Sequence, residues 1–405
     1  MSALNGIRVL DLSRVLAGPW CGQVLADLGA EVIKIERPKA GDDTRFWGPP
    51  WMKDDHGNNT QEAAYYQSTN RNKLSVAIDL ASPDGQDLIK ALIQNTDVLI
   101  ENYKAGSLKK YGLDYASLSE INPGLVYCSI TGFGQNGPRA KEPGYDFIIQ
   151  GMGGLMSVTG ERDDLPGGGP QKVGVAFSDL ATGLYSTIAI QAALLNRHTT
   201  GLGQYIDMAL FDVQIATMAN QGMNYLSSGI IPRRYGNAHA NIVPYQVFKA
   251  SDRDFIIACG NDAQFVQLCQ SIKLPDLPHD SRFARNADRV KHRNEIVEIL
   301  SNHFLTKTAD EWVEAIHAAK VPVGVINDLE QAFKEPQVSA REMLIEMQHP
   351  QRKKLTVIGS PIKLSRTPVE YKTAPPLLGE HTAMILGRIV SPEKLEELKE
   401  KGVIA

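Results

Sequence analysis

Cysteine is scarce in this chain: four occur in 405 residues, Cys21, Cys128, Cys259 and Cys269, with no CxxC spacing and no nearby histidine pairing. A disulfide framework and a cysteine-based zinc site are therefore unsupported, and the expectation is four reduced, mostly buried thiols and no metal. No run of about 18 apolar residues occurs, so no membrane span is expected. Basic excess is lacking too. A formal net charge of -4 gives no broad positive field for a nucleic-acid backbone or an anionic lipid surface. The first residues, Met1 to Arg8, lack the basic region, long apolar run and cleavage site of a secretory leader, which makes the cytoplasm the expected compartment. Also missing are GxxxxGK[ST], GxSxG and HExxH, which removes P-loop nucleotide hydrolysis, serine-elbow hydrolysis and the commonest zinc protease chemistry.

What is present is an ordinary globular composition, 43% hydrophobic and 22% charged, in a chain long enough for two cores. Gly6 to Asp11 (GIRVLD) reads as a strand, WCGQVLADLGA as a helix closed by glycine, and Glu31 to Glu36 (EVIKIE) as a second strand. Strand patterns recur at Leu74 to Leu80, Asp97 to Tyr103 and Leu125 to Thr131, with helical connections at Pro83 to Asn95 and Leu113 to Asn122. This alternation predicts an α/β fold: a large, parallel-sheet, Rossmann-like domain with ligands at the strand carboxyl ends. A glycine-rich stretch, Gly144 to Gly169, precedes a long apolar helix expected over Asp179 to Arg197. A strand (Gln204 to Leu210) and one helix (Phe211 to Ser228) come next, and the pattern then changes to that of a smaller α+β domain. The expected organisation is 1–225 for the large domain, 226–327 for the small one, and 328–405 as a segment returning to the first. That last segment holds an expected hairpin, Leu355 to Leu364, and a final helix near Pro392 to Lys401.

Gly132 to Gly137 (GFGQNG) satisfies GxGxxG after a strand, yet Pro138-Arg139 and Glu142-Pro143-Gly144 stand where a dinucleotide-binding helix should begin. A glycine turn forming a site wall is the expectation there. Asp179 draws attention for its neighbours. It follows the apolar run Val173 to Phe177 and precedes Leu180-Ala181-Thr182-Gly183-Leu184, which puts a carboxylate at a helix start in apolar surroundings. From position alone it is an ordinary N-cap, shared with Ser178, whose ionised form the helix dipole should favour.

Read in order, RVLAGP (Arg14 to Pro19), GAEVIKIERP (Gly29 to Pro38), GDDTR (Gly41 to Arg45), NRNK (Asn70 to Lys73), ENY (Glu101 to Tyr103), ITGFGQNGP (Ile130 to Pro138), GYD (Gly144 to Asp146), SDLATG (Ser178 to Gly183) and PLLGEHT (Pro376 to Thr382) form a constellation. With it the chain resembles the class III CoA-transferases, the CaiB/BaiF family, over essentially its whole length. GDDTRFWGPP, SDLATGLY and HANIVPYQVFK bring it nearest the branch acting on short dicarboxylates, with succinate and glutarate as leading acids.

The resemblance implies a homodimer of interlocked chains, and coenzyme A, as an acyl-CoA substrate, exchanged with a carboxylic acid. It makes Asp179 the nucleophile that attacks the donor thioester. It also implies a CoA site of Leu16, Ala17, Arg37, Asn102, Tyr103, Lys104 and Lys110, with Tyr145 and Asp146 near the pantetheine and nucleophile. His239 and Asn241 match the family's glycine-rich flap, here largely without glycines, and are expected to touch the acyl or acceptor group. Two departures are Ala81 and Pro143, where relatives carry CoA-contacting lysines. A dicarboxylate acceptor calls for a cation at its distal end, and Arg14, Arg45, Arg71 and Arg234 are the candidates. A racemase of the same family would need a histidine base where this chain has Tyr145, a poor base at neutral pH. A CoA-binding protein without turnover would use Asp179 only as a cap.

Overall fold

The computed structural model describes residues 2–405 and divides into two units. The first comprises Met1–Leu155, Val173–Met223 and Gln337–Ala405. Its centre is a six-stranded sheet built from β1 (Arg8–Asp11), β2 (Glu31–Glu36), β3 (Lys73–Ala77), β4 (Val98–Glu101), β5 (Val126–Thr131) and β6 (Tyr205–Ala209). The spatial order is β3-β2-β1-β4-β5-β6 and every pairing is parallel. A parallel sheet must be covered on both faces, and these strands read accordingly: β4 and β5 are buried at every position. Alternation sends Leu10 and Leu99 into the core beneath α2 (Pro83–Ile93), and Val9 and Val98 into the core beneath α1 (Ala17–Asp27).

The strand order reverses between β1 and β4, so the loops leaving these two strands diverge and open a crevice at the carboxyl edge. Two helices complete that edge, α4 (Asp146–Met152) and α5 (Phe177–Thr200), with the short α3 (Tyr115–Ile121) lying between β4 and β5 in the chain. Helix α5 packs on α1. Gly183 is what allows the approach, because a methyl group there would meet the Ala17 carbonyl at 2.7 Å and the Trp20 ring at 3.0 Å. The expected helix over Phe211 to Ser228 is two helices, α6 (Leu210–Ala216) and α7 (Ala219–Ser228), broken where Ala219 takes a positive φ.

The second unit comprises Met156–Lys172 and Asn224–Pro336. Strands β7 (Tyr245–Lys249), β8 (Asp254–Ala258) and β9 (Val323–Val325) form an antiparallel sheet in the order β9-β8-β7. Helices α8 (Asp262–Ser271), α9 (Arg293–Phe304) and α10 (Ala309–Ala318) enclose a core with it that includes Phe255, Phe265, Phe304 and Trp312. Back in the first unit, the hairpin expected at Leu355 to Leu364 lies earlier, as β10 (Leu344–His349) and β11 (Arg352–Ile358). The alternation of Leu344 to His349 was the signal passed over. Helix α11 (Pro392–Glu400) closes the chain, and Ile404 bridges to Ile78. All four cysteines are free and buried. Among the described residues no helix is long and apolar enough to cross a membrane.

Candidate active site

A cleft of about 420 Å³ occupies the crevice between the β1 and β4 loops. Its walls bring together Leu16 and Ala17 after β1, Asn102, Tyr103 and Lys104 after β4, Tyr145 before α4, and Asp179. Seven of the residues expected from sequence thus share one cavity. Gly132 lines it as well, and its Cα is pressed on Gly144, where a Cβ would come within 2.5 Å. The glycine turn is indeed a wall.

Asp179 does not cap its helix. Helix α5 begins two residues earlier, at Phe177, with Ala176 in the cap position and no capping side chain of its own. The cap comes from another helix: Asp146 Oδ1 accepts the backbone N–H of Ser178 at 2.8 Å and that of Asp179 at 3.3 Å. Asp146 Oδ2 accepts Gln150 Nε2 at 2.7 Å, and the Ser178 hydroxyl donates to Gln214 Oε1 at 2.7 Å. The first turn of α5 is therefore held from α4 and α6, and the Asp179 carboxylate is left without a side-chain hydrogen bond among the described residues. Asp179 and Gly183 lie four residues apart on one helix face, so the close contact of Gly183 with α1 turns Asp179 toward the Leu16–Ala17 loop.

The expected preference for the ionised form is overturned. Burial raises the Asp179 carboxyl pKa to about 7, and the charge of Asp146 adds to the rise. Desolvation and a like charge outweigh the helix dipole here. Tyr65, which sequence reasoning missed, feels the same charges. Burial comes first, then Asp179 and Asp146, and together they push its phenol up to about 12. No local pattern marks Tyr65, since it follows the hairpin that pairs Trp51–Lys53 with Asn59–Ala63, remote in sequence from Asp179.

Two cations on the cleft, Lys104 and Lys141, make no ion pair among the described residues. Lys141 was also missed. Pro143 lies on the same wall, two residues from Lys141. Other expected contacts fall away from the cavity. Arg37 borders a small notch beside it and pairs with Asp43 at 3.2 Å, whereas the Lys110 ammonium lies over the Tyr111 ring. Asn102 spends both ends of its amide on the backbone of Arg14, accepting from N at 2.9 Å and donating to O at 2.6 Å.

His239 and Asn241 belong to the second unit. His239 Nδ1 accepts the Asn241 N–H at 3.0 Å, its ring lies 5.2 Å from that of Tyr245, and Arg293 Nη2 donates to both the His239 and Ala240 carbonyls at 2.8 Å. Burial and the Arg293 charge lower the His239 pKa. The four candidate arginines are already neutralised. Arg45 is buried between Glu36 and Glu62, Arg71 pairs with Asp27, Arg234 with Asp163, and Arg14 with Asp43 at 2.7 Å. Of these only Arg14 lines the cleft.

A larger cavity, about 770 Å³, lies at the opposite, amino edge of the sheet. Its arginines are tied up as Arg8–Glu31 and Arg197–Asp97, the same ion pairs occupy its two carboxylates, and no cysteine among the described residues lines it. Size is a poor guide here, and the chemistry belongs to the carboxyl edge.

Residues 4–382 match the model of CoA-transferase family III. A succinate–glutarate CoA-transferase of Agrobacterium fabrum is 49% identical over 391 residues, covering 96% of each chain. The human succinyl-CoA:glutarate CoA-transferase is 42% identical over 403 residues, 99% of this chain and 90% of that protein. Among solved structures, a CaiB/BaiF family protein from Brucella suis superposes with a TM-score of 0.84 at 48% identity, over 96% of this chain and all of that one.

Proposed function

The chain belongs to CoA-transferase family III, and on that footing we propose that it moves coenzyme A from succinyl-CoA, or a similar donor, to a short dicarboxylate such as glutarate, with Asp179 as nucleophile. The observation that carries this reading is a partly buried carboxylate, held by its helix at the wall of a cleft on the switch point of a parallel sheet.

In the first step a carboxylate oxygen of Asp179 bonds to the thioester carbonyl carbon, the C–S bond breaks, and CoA leaves as thiolate. The product is a mixed anhydride between the donor acyl group and Asp179. The thiolate then attacks the aspartyl carbonyl carbon, releasing the donor acid and leaving an aspartyl-CoA thioester. An acceptor carboxylate repeats both steps in reverse order and leaves as the new CoA ester, with Asp179 restored. A carboxylate suits the task because the aspartyl-CoA thioester matches the substrate thioesters in kind, so thioester energy is exchanged and little is lost. Partial burial of Asp179 protects these intermediates from water. Lys104 and Lys141 provide positive charge for the CoA phosphates, and Tyr103 and Tyr145 flat surface for the rest of the cofactor. His239 and Asn241 are proposed to meet the acyl or acceptor group.

Asp179→Ala is expected to abolish transfer while leaving the dissociation constant for CoA within about threefold, since binding and chemistry use different groups. Hydroxylamine should trap an acyl group on the unmodified protein alone. Retained transfer in the variant would remove Asp179 from the reaction.

We also propose a cytoplasmic homodimer of interlocked chains. The apolar surface supports an assembly: Ile188 and Leu195, both more than half exposed, lie seven residues apart on one face of α5 and so form a bare apolar stripe. Light scattering at micromolar concentration should give twice the chain mass, and a monomer would contradict it.

A further inference from the structure

Beneath α1, on the sheet face that also carries the buried Glu36 and Ser75, lies a group of wholly buried charges that the transfer reaction does not use. Asp11, Lys34, Asp42 and Lys73 each have no exposed surface. Lys34 Nζ is 2.9 Å from Asp42 Oδ2, and Lys73 Nζ is 3.0 Å from Asp11 Oδ2. Burying two such pairs is costly, and apolar residues of similar size would often serve folding equally well. Several of their remaining hydrogen bonds converge on the segment from Ser13 to Pro19, while Asp42 also accepts from Thr44 and Lys73 also donates to Asn70. Lys34 donates to the Ser13 carbonyl at 2.9 Å and Lys73 to the Pro19 carbonyl at 2.8 Å. Asp11 accepts the Ser13 N–H at 3.0 Å, and Asp42 accepts the Val15 N–H at 3.2 Å. From the far side of the crevice Asn102 grips the N–H and carbonyl of Arg14.

Between these anchors Val15 has φ +72°, a left-handed conformation that a β-branched residue strongly disfavours. Its amide is held by Asp42, and no backbone carbonyl among the described residues accepts it. The next two residues, Leu16 and Ala17, are the cleft wall and the start of α1.

We propose that Asp42, backed by Lys34, and Asn102 are positioning residues that clamp Arg14–Val15 in a strained turn and so set the wall facing Asp179. This rests on the reading of the cleft as the transfer site. Asn102 then acts on the loop and not on CoA directly.

A matched pair of variants tests it. K34M/D42N and K34M/D42A both lack the buried ion pair, but only the asparagine keeps an acceptor for the Val15 N–H. We expect kcat for succinyl-CoA and glutarate to fall about a hundredfold more in K34M/D42A than in K34M/D42N, as a misplaced site wall would produce. Adding Val15→Gly, which adopts the left-handed turn without strain, should recover part of the loss. Amide hydrogen exchange at Val15 and Leu16 should be fast in K34M/D42A and slow in K34M/D42N. Asn102→Ala, at the edge of the fold, should lower kcat while the KM for succinyl-CoA stays within about threefold.

Equal kcat and equal amide protection in the matched pair would overturn the clamp. So would an Asn102→Ala effect confined to KM, which would return Asn102 to CoA binding. Should Asp179→Ala retain transfer, the functional reading fails, but the exchange measurement still decides whether the turn is clamped.

Discussion

At the scale of single residues, the acidity of Asp179 governs the chemistry. The nucleophile is the ionised form, and a pKa near 7 means that half of it is lost at neutrality. We expect kcat/KM for the acyl-CoA donor to rise about tenfold per pH unit below 7 and to level off above it. Asp146→Asn keeps an oxygen to accept the Ser178 and Asp179 N–H groups but removes the negative charge. The limb of its profile should move to lower pH, and an unmoved limb would mean that the charge of Asp146 does not reach Asp179. The proposed nucleophile was marked in the sequence by SDLATG, a distinctive string. Its acidity was not, since the decisive neighbour is 33 positions away and burial has no local signature. Tyr65 escaped for the same reason, and nothing local separates Lys141 from an ordinary solvated lysine.

At the scale of elements, the helix pair α1 and α5 sets where Asp179 points. Gly183 lets α5 sit against the Ala17 carbonyl, and no side chain fits that gap. Gly183→Ala should push the helices apart at a cost of about 1–3 kcal/mol, as overpacking commonly does, and kcat should fall with it. Calorimetry and steady-state rates check this together, and an unchanged Tm would show that the gap yields freely. Most strands and helices of the large sheet could be read from periodicity, because parallel strands are continuous apolar runs and the crossover helices have one apolar face. The failures have physical causes. The positive φ of Ala219 breaks a helix whose composition runs on, and Gly359-Ser360-Pro361, which reads as a hairpin turn, instead follows the end of β11.

At the scale of the whole molecule, strand order determines function more than any motif. Periodicity suggests parallel strands but cannot say which are neighbours. Only the order β3-β2-β1-β4-β5-β6 reveals that the loops after β1 and β4 part company and leave a crevice. Into it converge segments as remote as Leu16, Asn102, Tyr145 and Asp179. Five of the nine family strings, RVLAGP, ENY, ITGFGQNGP, GYD and SDLATG, contribute walls of that crevice, whereas GAEVIKIERP, GDDTR, NRNK and PLLGEHT line none of it. The whole account depends on covalent passage of the acyl group through Asp179, and isotope transfer tests that most directly. Glutarate carrying heavy oxygen at both carboxylates would be turned over with succinyl-CoA, the protein digested, and the peptide containing Asp179 weighed. Passage through the aspartyl anhydride leaves one heavy oxygen on Asp179, whereas direct attack of glutarate on the donor thioester leaves the protein unlabelled, which would contradict the mechanism.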